Sequence, residues 1–239
     1  MPLTVLDRRS LLKALSLAPA FAVAVPGWAR AEAREAGLIS PDVCLLQPEV
    51  TEGPYYLAEE LVRQDITEGR PGLPLVLRLQ VVTADCSPVA GARVDIWHCD
   101  AGGIYSGVAG EGGTFLRGTQ TTGADGVAEF RSIFPGWYRG RVTHVHYKVF
   151  LDERTVLTGQ VFFDDALADA IHADHPAYED RGPQDTALSA DRIARQAGPG
   201  AVARVEMDAP DGDAVAALVI GIDAAGTSGS LLERLFGRG

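Results

Sequence analysis

The sequence predicts an all-β fold, a β-sandwich of mostly antiparallel strands with short helical or loop additions toward its C-terminal end. Three observations predict it. Short runs rich in β-branched and aromatic residues recur from residue 73 to residue 163. The 27 glycines and 14 prolines suit many strands joined by turns better than long helices. The run LPLVLRLQVVT alternates apolar and polar residues, as a strand with one buried face does.

The elements follow in order. DRRSLLKALSLAPAFAVAVPGWARA opens with Arg8 and Arg9, runs apolar from residue 14 to 25, and offers Ala29 and Ala31 as a small-residue cleavage site. It reads as a twin-arginine-type signal peptide over residues 1–31. A membrane anchor is the competing reading, but the apolar run is short for a bilayer and contains Pro19. The mature protein is therefore expected in the periplasm or outside the cell. The twin-arginine export machinery would be a transient partner, and no stable membrane insertion would remain after processing. Residues 32–50 form a polar lead-in, and TEGPYYL (51–57) is a Gly-Pro loop carrying Tyr55 and Tyr56.

LPLVLRLQVVT (73–83) and ARVDIWHCD (92–100) are strands joined through CSPVAG and are expected to pair as a hairpin. AGGIYSGVAGEGG is a glycine-rich loop with Tyr105 in it. TFLRGTQTT and VAEFRSIF, joined by GADG, are expected as a second strand pair. PGWYRGR is a tight loop carrying Tyr138, followed by the strands VTHVHYKVF and TVLTGQVFF. DALADAIHADHPAYEDRG reads as a short helix and loop, and residues 180–200 as polar and irregular. AVAALVIGID (214–223) is a last strand expected to close the sheet, and residues 226–239 form a tail. The sandwich occupies residues 51–225, without a second domain.

Length and composition narrow the function. At 239 residues, 46% hydrophobic and 22% charged, the chain is globular and long enough for one substantial core. Its formal charge of −11, with no basic cluster in the body of the chain, argues against nucleic acid as a partner. Three cysteines in an oxidising compartment predict one disulfide and one odd thiol. Cys86 lies in the turn-like ADCSPVAG and Cys44 just upstream of the first conspicuous loop. Cys44–Cys86 is the expected pair, although spacing alone leaves the pairing open.

His144 and His146 in VTHVHYKVF share a face, because side chains alternate across a strand. Two imidazoles pointing together are either a solvated stripe or half of a metal site. Tyr105 and Tyr138 fall within the same 42 residues on loops that can converge on them. Phenolate is a hard anionic donor with a reference pKa of ~10, so only a strong Lewis acid holds it deprotonated at neutral pH. Ferric iron suits such a set better than zinc or calcium, which seldom use two tyrosines.

At these residues the sequence resembles the intradiol ring-cleavage dioxygenases, the family of protocatechuate 3,4-dioxygenase and catechol 1,2-dioxygenase. The matching segments are TEGPYY, VDIWHCDAGGIYS, FLRGTQTT-ADG, FRSIFPGWY, R-x-x-HVH and LTGQVFF, in the family's order across residues 51–163. The resemblance implies a mononuclear non-haem Fe(III) held by Tyr105, Tyr138, His144 and His146. It implies a catecholic substrate whose ring is opened by dioxygen between its two hydroxyls, giving a muconate-type diacid. Tyr138 would leave the metal when substrate binds and take a proton. Arg141 would stabilise negative charge on the bound catecholate, and Gln160 would help arrange Arg141. Tyr55 is the candidate substrate contact, with core packing as its bland alternative.

Other groups are read blandly. His98 is expected to be a structural histidine hydrogen-bonded near the core, and His172 and His175 to lie on a solvated helix face. Glu52 and Asp95 have no assigned role. The chain departs from the catechol 1,2-dioxygenases in lacking a helical N-terminal dimerisation region. Tyr138 and His144 are only six positions apart, where a longer loop is general in the family, so a more open mouth is expected. The competing functional readings are a secreted β-sandwich binding module with this fold but no turnover, and a zinc or copper site on the HVH strand.

Overall fold

Two four-stranded sheets face each other in a computed structural model that describes residues 37–39, 45–108, 110–152, 154–207 and 212–223. The expected leader, Cys44 and the expected tail lie outside the described residues. The strands are β1 (Pro74–Thr83), β2 (Arg93–Trp97), β3 (Arg117–Thr121), β4 (Val127–Ile133), β5 (His144–Leu151), β6 (Arg154–Phe162), β7 (Arg204–Met207) and β8 (Ala214–Ile222). The helices α1 (Asp165–Asp174) and α2 (Arg192–Ala197) follow β6. The first sheet has the order β4-β1-β8-β7 and the second β3-β2-β5-β6. The all-β sandwich expected from the sequence is the fold observed.

Alternation decides which side of each strand enters the core. Leu75, Leu77, Leu79 and Val81 of β1 face inward with Ala216, Leu218 and Ile220 of β8. From the other sheet come Val94 and Ile96 of β2, Val145, Tyr147 and Val149 of β5, and Leu157 and Val161 of β6. Gly159 of β6 pairs with Tyr147 because a Cβ there would lie 2.1 Å from the Tyr147 ring. The missing side chain is the space the aromatic ring fills.

Three sequence expectations need correction. β1 and β2 do not form a hairpin: β1 pairs with β4 antiparallel and β8 parallel, while β2 pairs with β3 and β5. The connection from residue 84 to 92 exceeds the two to five residues of ordinary hairpin loops and carries the chain from one sheet to the other. β3 and β4 likewise fall in opposite sheets despite their short link. Strand β8 does not close its sheet at an edge; it runs centrally between β1 and β7. The sequence reading also missed β7 and α2, both short, with polar and apolar residues in equal number.

The second sheet uses its two faces differently. With Val145, Tyr147 and Val149 turned to the core, His144 and His146 point outward, and both are nonetheless buried. Register across the sheet pairs Arg117 with Trp97, Trp97 with His146, and His146 with Gln160. One transverse row thus carries four long polar or aromatic side chains across all four strands, on the face away from the core.

Candidate metal centre

Residues 50–57 cross this outer face and cover it. Val50 N–H donates to Thr158 O at 3.0 Å, and Gln160 Nε2 donates to Thr51 O at 3.1 Å. A Cβ on Gly53, whose φ is +73°, would lie 3.5 Å from His146 Cε1. Tyr56 donates to Asp95 Oδ2 at 2.9 Å and packs at a tilt against Trp97, while Lys148 lies over the Tyr56 ring and pairs with Glu52. Asp95 and Glu52, without a role in the sequence, thus fasten this crossing segment.

Two loops bring the phenols. Beyond β2, Asp100 Oδ1 accepts from Gly102 N and Ile104 N at 2.9 and 3.0 Å, folding the loop that presents Tyr105. Gly103 has φ +82°, and a Cβ there would sit 2.4 Å from Trp137 O, so only glycine lets this loop meet the loop of Tyr138. Arg117, buried, donates to Ser106 Oγ at 2.9 Å, Ser106 O at 2.7 Å and Tyr55 O at 2.7 Å, tying the Tyr105 loop to the crossing segment. The Tyr138 loop is latched by residues 181–191. Arg181 donates to Trp137 O, Trp137 Nε1 to Gly182 O, Gly140 N to Asp185 and Thr143 N to Gln184.

At the meeting point Tyr105 Oη lies 3.4 Å from His144 Nε2 and 3.2 Å from His146 Nε2. Tyr138 Oη lies 3.3 Å from His144 Nε2, and the two imidazole Nε2 atoms are 3.1 Å apart. Donors about 2.1 Å from one shared cation and roughly at right angles are ~3 Å apart, so these separations suit a single ion. His144 Nδ1–H donates to Val142 O at 2.6 Å, which leaves a lone pair on Nε2 directed into the cluster. His146 Nδ1 is buried with no hydrogen-bond partner among the described residues, and the ring is sandwiched by Trp97 at 4.9 Å and 9°. Among the described residues no three His, Cys, Asp or Glu side chains form a metal-holding group, so any ion here depends on the tyrosines.

Electrostatics suits the same purpose. Burial, reinforced by Arg141, holds His144 down to about 3, and burial with neighbouring His144 holds His146 well below the usual imidazole value. Both are neutral, ligand-ready bases at physiological pH. Burial raises the Tyr105 phenol well above its ordinary value, and raises Tyr138 despite the opposing Arg141 charge. Without a strong Lewis acid the pair remains protonated, which matches the chemistry of a trivalent cation.

Arg141 adjoins the cluster: Nη1 lies 3.3 Å from Tyr138 Oη, and Nη2 donates to Gln160 Oε1 at 2.5 Å. Nε donates to Asp191 Oδ2 at 2.7 Å. Tyr55 is half-buried, stacked on Tyr105 at 4.4 Å and edge-on to Tyr138 at 6.3 Å. The structure therefore gathers Tyr55, Tyr105, Tyr138, Arg141, His144, His146 and Gln160 in one place. Cys86 is disulfide-bonded, and Cys99 is free and buried beside Tyr105, with burial pushing its thiol up to about 12.

His98 is structural: Nδ1–H donates to Cys99 O at 2.8 Å and Nε2 accepts from Ser132 Oγ at 2.7 Å. His172 corrects the expectation of a solvated face, because it is fully buried against Phe134 and Tyr178 and bonds Pro135 O at 3.0 Å. His175 caps the following 3₁₀ turn instead of joining it. Arg117, Trp97 and Asp191 escaped the sequence reading. Asp191 carries a signal in retrospect, an N-cap aspartate ahead of RIARQA.

Burial lowers His98 to about 4. A folded pKa below the unfolded value near ~6.5 means stability is full above that value and declines as pH falls toward the folded pKa. Urea unfolding of the metal-free protein at pH 7.5 and pH 5 is therefore expected to differ by up to about 2 kcal/mol through His98. Equal stabilities would contradict the neutral buried imidazole.

Comparison with known proteins agrees with this geometry. A family model described as Dioxygenase matches residues 48–178. Catechol 1,2-dioxygenase 1 of Acinetobacter lwoffii is 32% identical over 178 residues, which cover 60% of this chain and 57% of that protein. Chlorocatechol 1,2-dioxygenase of Pseudomonas sp. (strain P51) is 32% identical over 135 residues, 47% of this chain and 54% of that protein. The matched region thus spans little more than half the length of these relatives. The solved intradiol ring-cleavage dioxygenase from Tetranychus urticae superposes with a TM-score of 0.70 at 31% identity, covering 75% of this chain and 95% of that one.

Proposed function

Because the chain belongs to the intradiol ring-cleavage dioxygenase family, we propose that it opens catechol-type rings between the two hydroxyls with dioxygen, at a ferric ion held by Tyr105, Tyr138, His144 and His146. The observation that carries this reading is the convergence of two phenol oxygens and two neutral imidazole nitrogens at 3.1–3.4 Å separations. When bound, the ferric ion lowers the pKa of coordinated oxygens and activates the catecholate toward dioxygen, both of whose atoms enter the muconate-type product.

The side chains divide the remaining work. His144 and His146 stand on a sheet strand and are fixed. Tyr105 is buried and clamped by Tyr55, whereas Tyr138 is half-buried, so Tyr138 would be the phenol that gives way to substrate. Released, its oxygen takes one catechol proton while remaining within reach of Arg141 Nη1. Arg141, held at Nε and Nη2, directs Nη1 at the reacting region and stabilises negative charge there. Tyr55 forms a flat wall beside Tyr105 for the substrate ring, and Trp97 screens His146 from water.

The test is the visible spectrum with metal analysis, before and after anaerobic catechol. One iron per chain, a red-brown tyrosinate band and a shift to longer wavelength on catechol are expected. A protein that stays colourless after ferric reconstitution would leave the binding module, or a zinc site, in its place.

The six-residue step from Tyr138 to His144 leaves Arg139 and Gly140 exposed at the mouth, which supports acceptance of bulky substituted catechols. In an oxygen-uptake panel, 4-alkyl and phenylpropanoid catechols are expected within about tenfold of catechol in kcat/KM, a loss that ~1.4 kcal/mol would cause. Activity confined to protocatechuate would overturn this. Export through Arg8 and Arg9 is part of the same proposal. A protein whose mass matches cleavage near Ala31 is expected in the periplasm, and a cytoplasmic full-length chain would refute it.

A further inference from the structure

We propose that Asp191 is the positioning residue for Arg141: it fixes the guanidinium so that Nη1, and not another edge, faces the reacting region. This rests on the dioxygenase reading above, since Arg141 acts on the bound substrate there. Asp191 is 2% exposed and uses both oxygens completely. Oδ2 accepts from Arg141 Nε at 2.7 Å and from Val142 N at 3.1 Å. Oδ1 accepts from Ile193 N at 2.7 Å and Ala194 N at 3.1 Å, capping α2.

The geometry of the guanidinium makes the assignment specific. Its donors lie in one rigid plane, so holding Nε and Nη2 determines where Nη1 points. Gln160 holds Nη2, but its amide is itself hung from Thr51 O, on the crossing segment. Asp191 is the charged partner, and its own position is set from elsewhere. Ala194 and Ala197 of α2 pack with Val142, Phe162 and Val50 in a small apolar cluster separate from the main core. The docking of a six-residue helix is thereby transmitted through one carboxylate to the arginine, 50 residues earlier in the chain. The carboxylate also neutralises the guanidinium, so a cation at the adjacent centre does not face an uncompensated positive charge.

A cap alone would need only one oxygen, and serine supplies it nearly as well as aspartate. Asp191→Ser therefore keeps the helix cap and removes the arginine contact. In Asp191→Ser the kcat on catechol is expected to fall about 10- to 100-fold with KM within about threefold, the range found when a ligand-orienting partner is lost. In an Arg141→Lys background the same change should cost less than about threefold, because the fork it positions is already gone. A structural role would give equal losses in both backgrounds, and that result, or an unchanged kcat, would overturn the proposal.

A readout without turnover separates this from the functional reading. In ¹⁵N spectra of the full chain purified without added metal, Arg141 Nε–H is expected to be protected from solvent exchange, and unprotected in Asp191→Ser. Protection lost in a protein inactive on every catechol would sink the dioxygenase and keep the positioning. Protection retained would sink the positioning, whatever the activity. If Asp191→Ser is not recovered folded, Asp191→Asn, which turns one of the two oxygens and so two of the four acceptor interactions into a donor, carries the same two measurements.

Discussion

Replacing His146 by leucine is expected to empty the centre of metal and abolish ring cleavage while leaving the fold intact. On the proposed function His146 supplies one of four donors, and three remain, two of them phenols that burial holds protonated. Losing an outer partner of a metal ligand typically costs 10- to 100-fold in affinity, so losing the ligand itself should cost at least about a hundredfold. The stability effect should be small, because leucine has similar bulk, the imidazole Nδ1 has no partner among the described residues to forfeit, and Trp97 offers an apolar face. Iron content after dialysis, with a melting curve of the metal-free protein, checks both halves. A variant that binds iron stoichiometrically and turns over catechol would remove His146 from the ligand set.

Arg141→Met carries the second large effect, this time on activity and stability together. Removing a preorganised charge donor from a reacting region costs on the order of 10²–10³ in kcat. The same change strands Asp191, whose carboxylate is buried with its charge partner gone. Breaking such a pair from one side costs about 3–5 kcal/mol, eased here because three backbone N–H groups still point at the carboxylate.

Burial alone would raise the Asp191 carboxyl; the Arg141 hydrogen bond and the N–H groups of Ala194 and Val142 outweigh it and hold the group below the usual range. A depressed carboxyl contributes stability above its unfolded pKa and loses it as pH falls through the folded one. With Arg141 gone the folded value rises, so acid unfolding should begin at higher pH in Arg141→Met than in the parent. Melts from pH 3 to 7 on both proteins measure the difference, and superimposable profiles would show that the pair is not coupled.

Much of this was legible in the chain before any fold was known. Alternation located β1, a continuous apolar run located β8, and short β-rich runs bounded by turn residues located β2 to β6. HVH showed that two imidazoles share a side, and the order of separated motifs named the family. Which sheet each strand joins was not legible. A turn signal says that the chain reverses, and both a hairpin and a crossing between sheets satisfy it. The clamps were equally hidden. Arg117 reaches Tyr55 across 62 residues and Asp191 reaches Arg141 across 50, and no local pattern marks a contact of that span. His172 misled for a related reason: on a short helix with three aspartates it looked wet, and the approach of Phe134 and Tyr178 buries it.

The transverse row from Arg117 to Gln160 lies on the side of its sheet turned away from the sandwich interior. Folding and loading are therefore separable events. The hydrocarbon that drives collapse is buried between the sheets, so the chain is expected to reach its native topology with or without an ion. The two imidazoles then wait at fixed spacing on a finished scaffold, and the phenols arrive on loops latched from outside it. On the proposed function, the centre is expected to be stripped and refilled without unfolding. Such an arrangement also lets the loops diverge in sequence, and the range of rings accepted diverge with them, at little cost to the body that carries them.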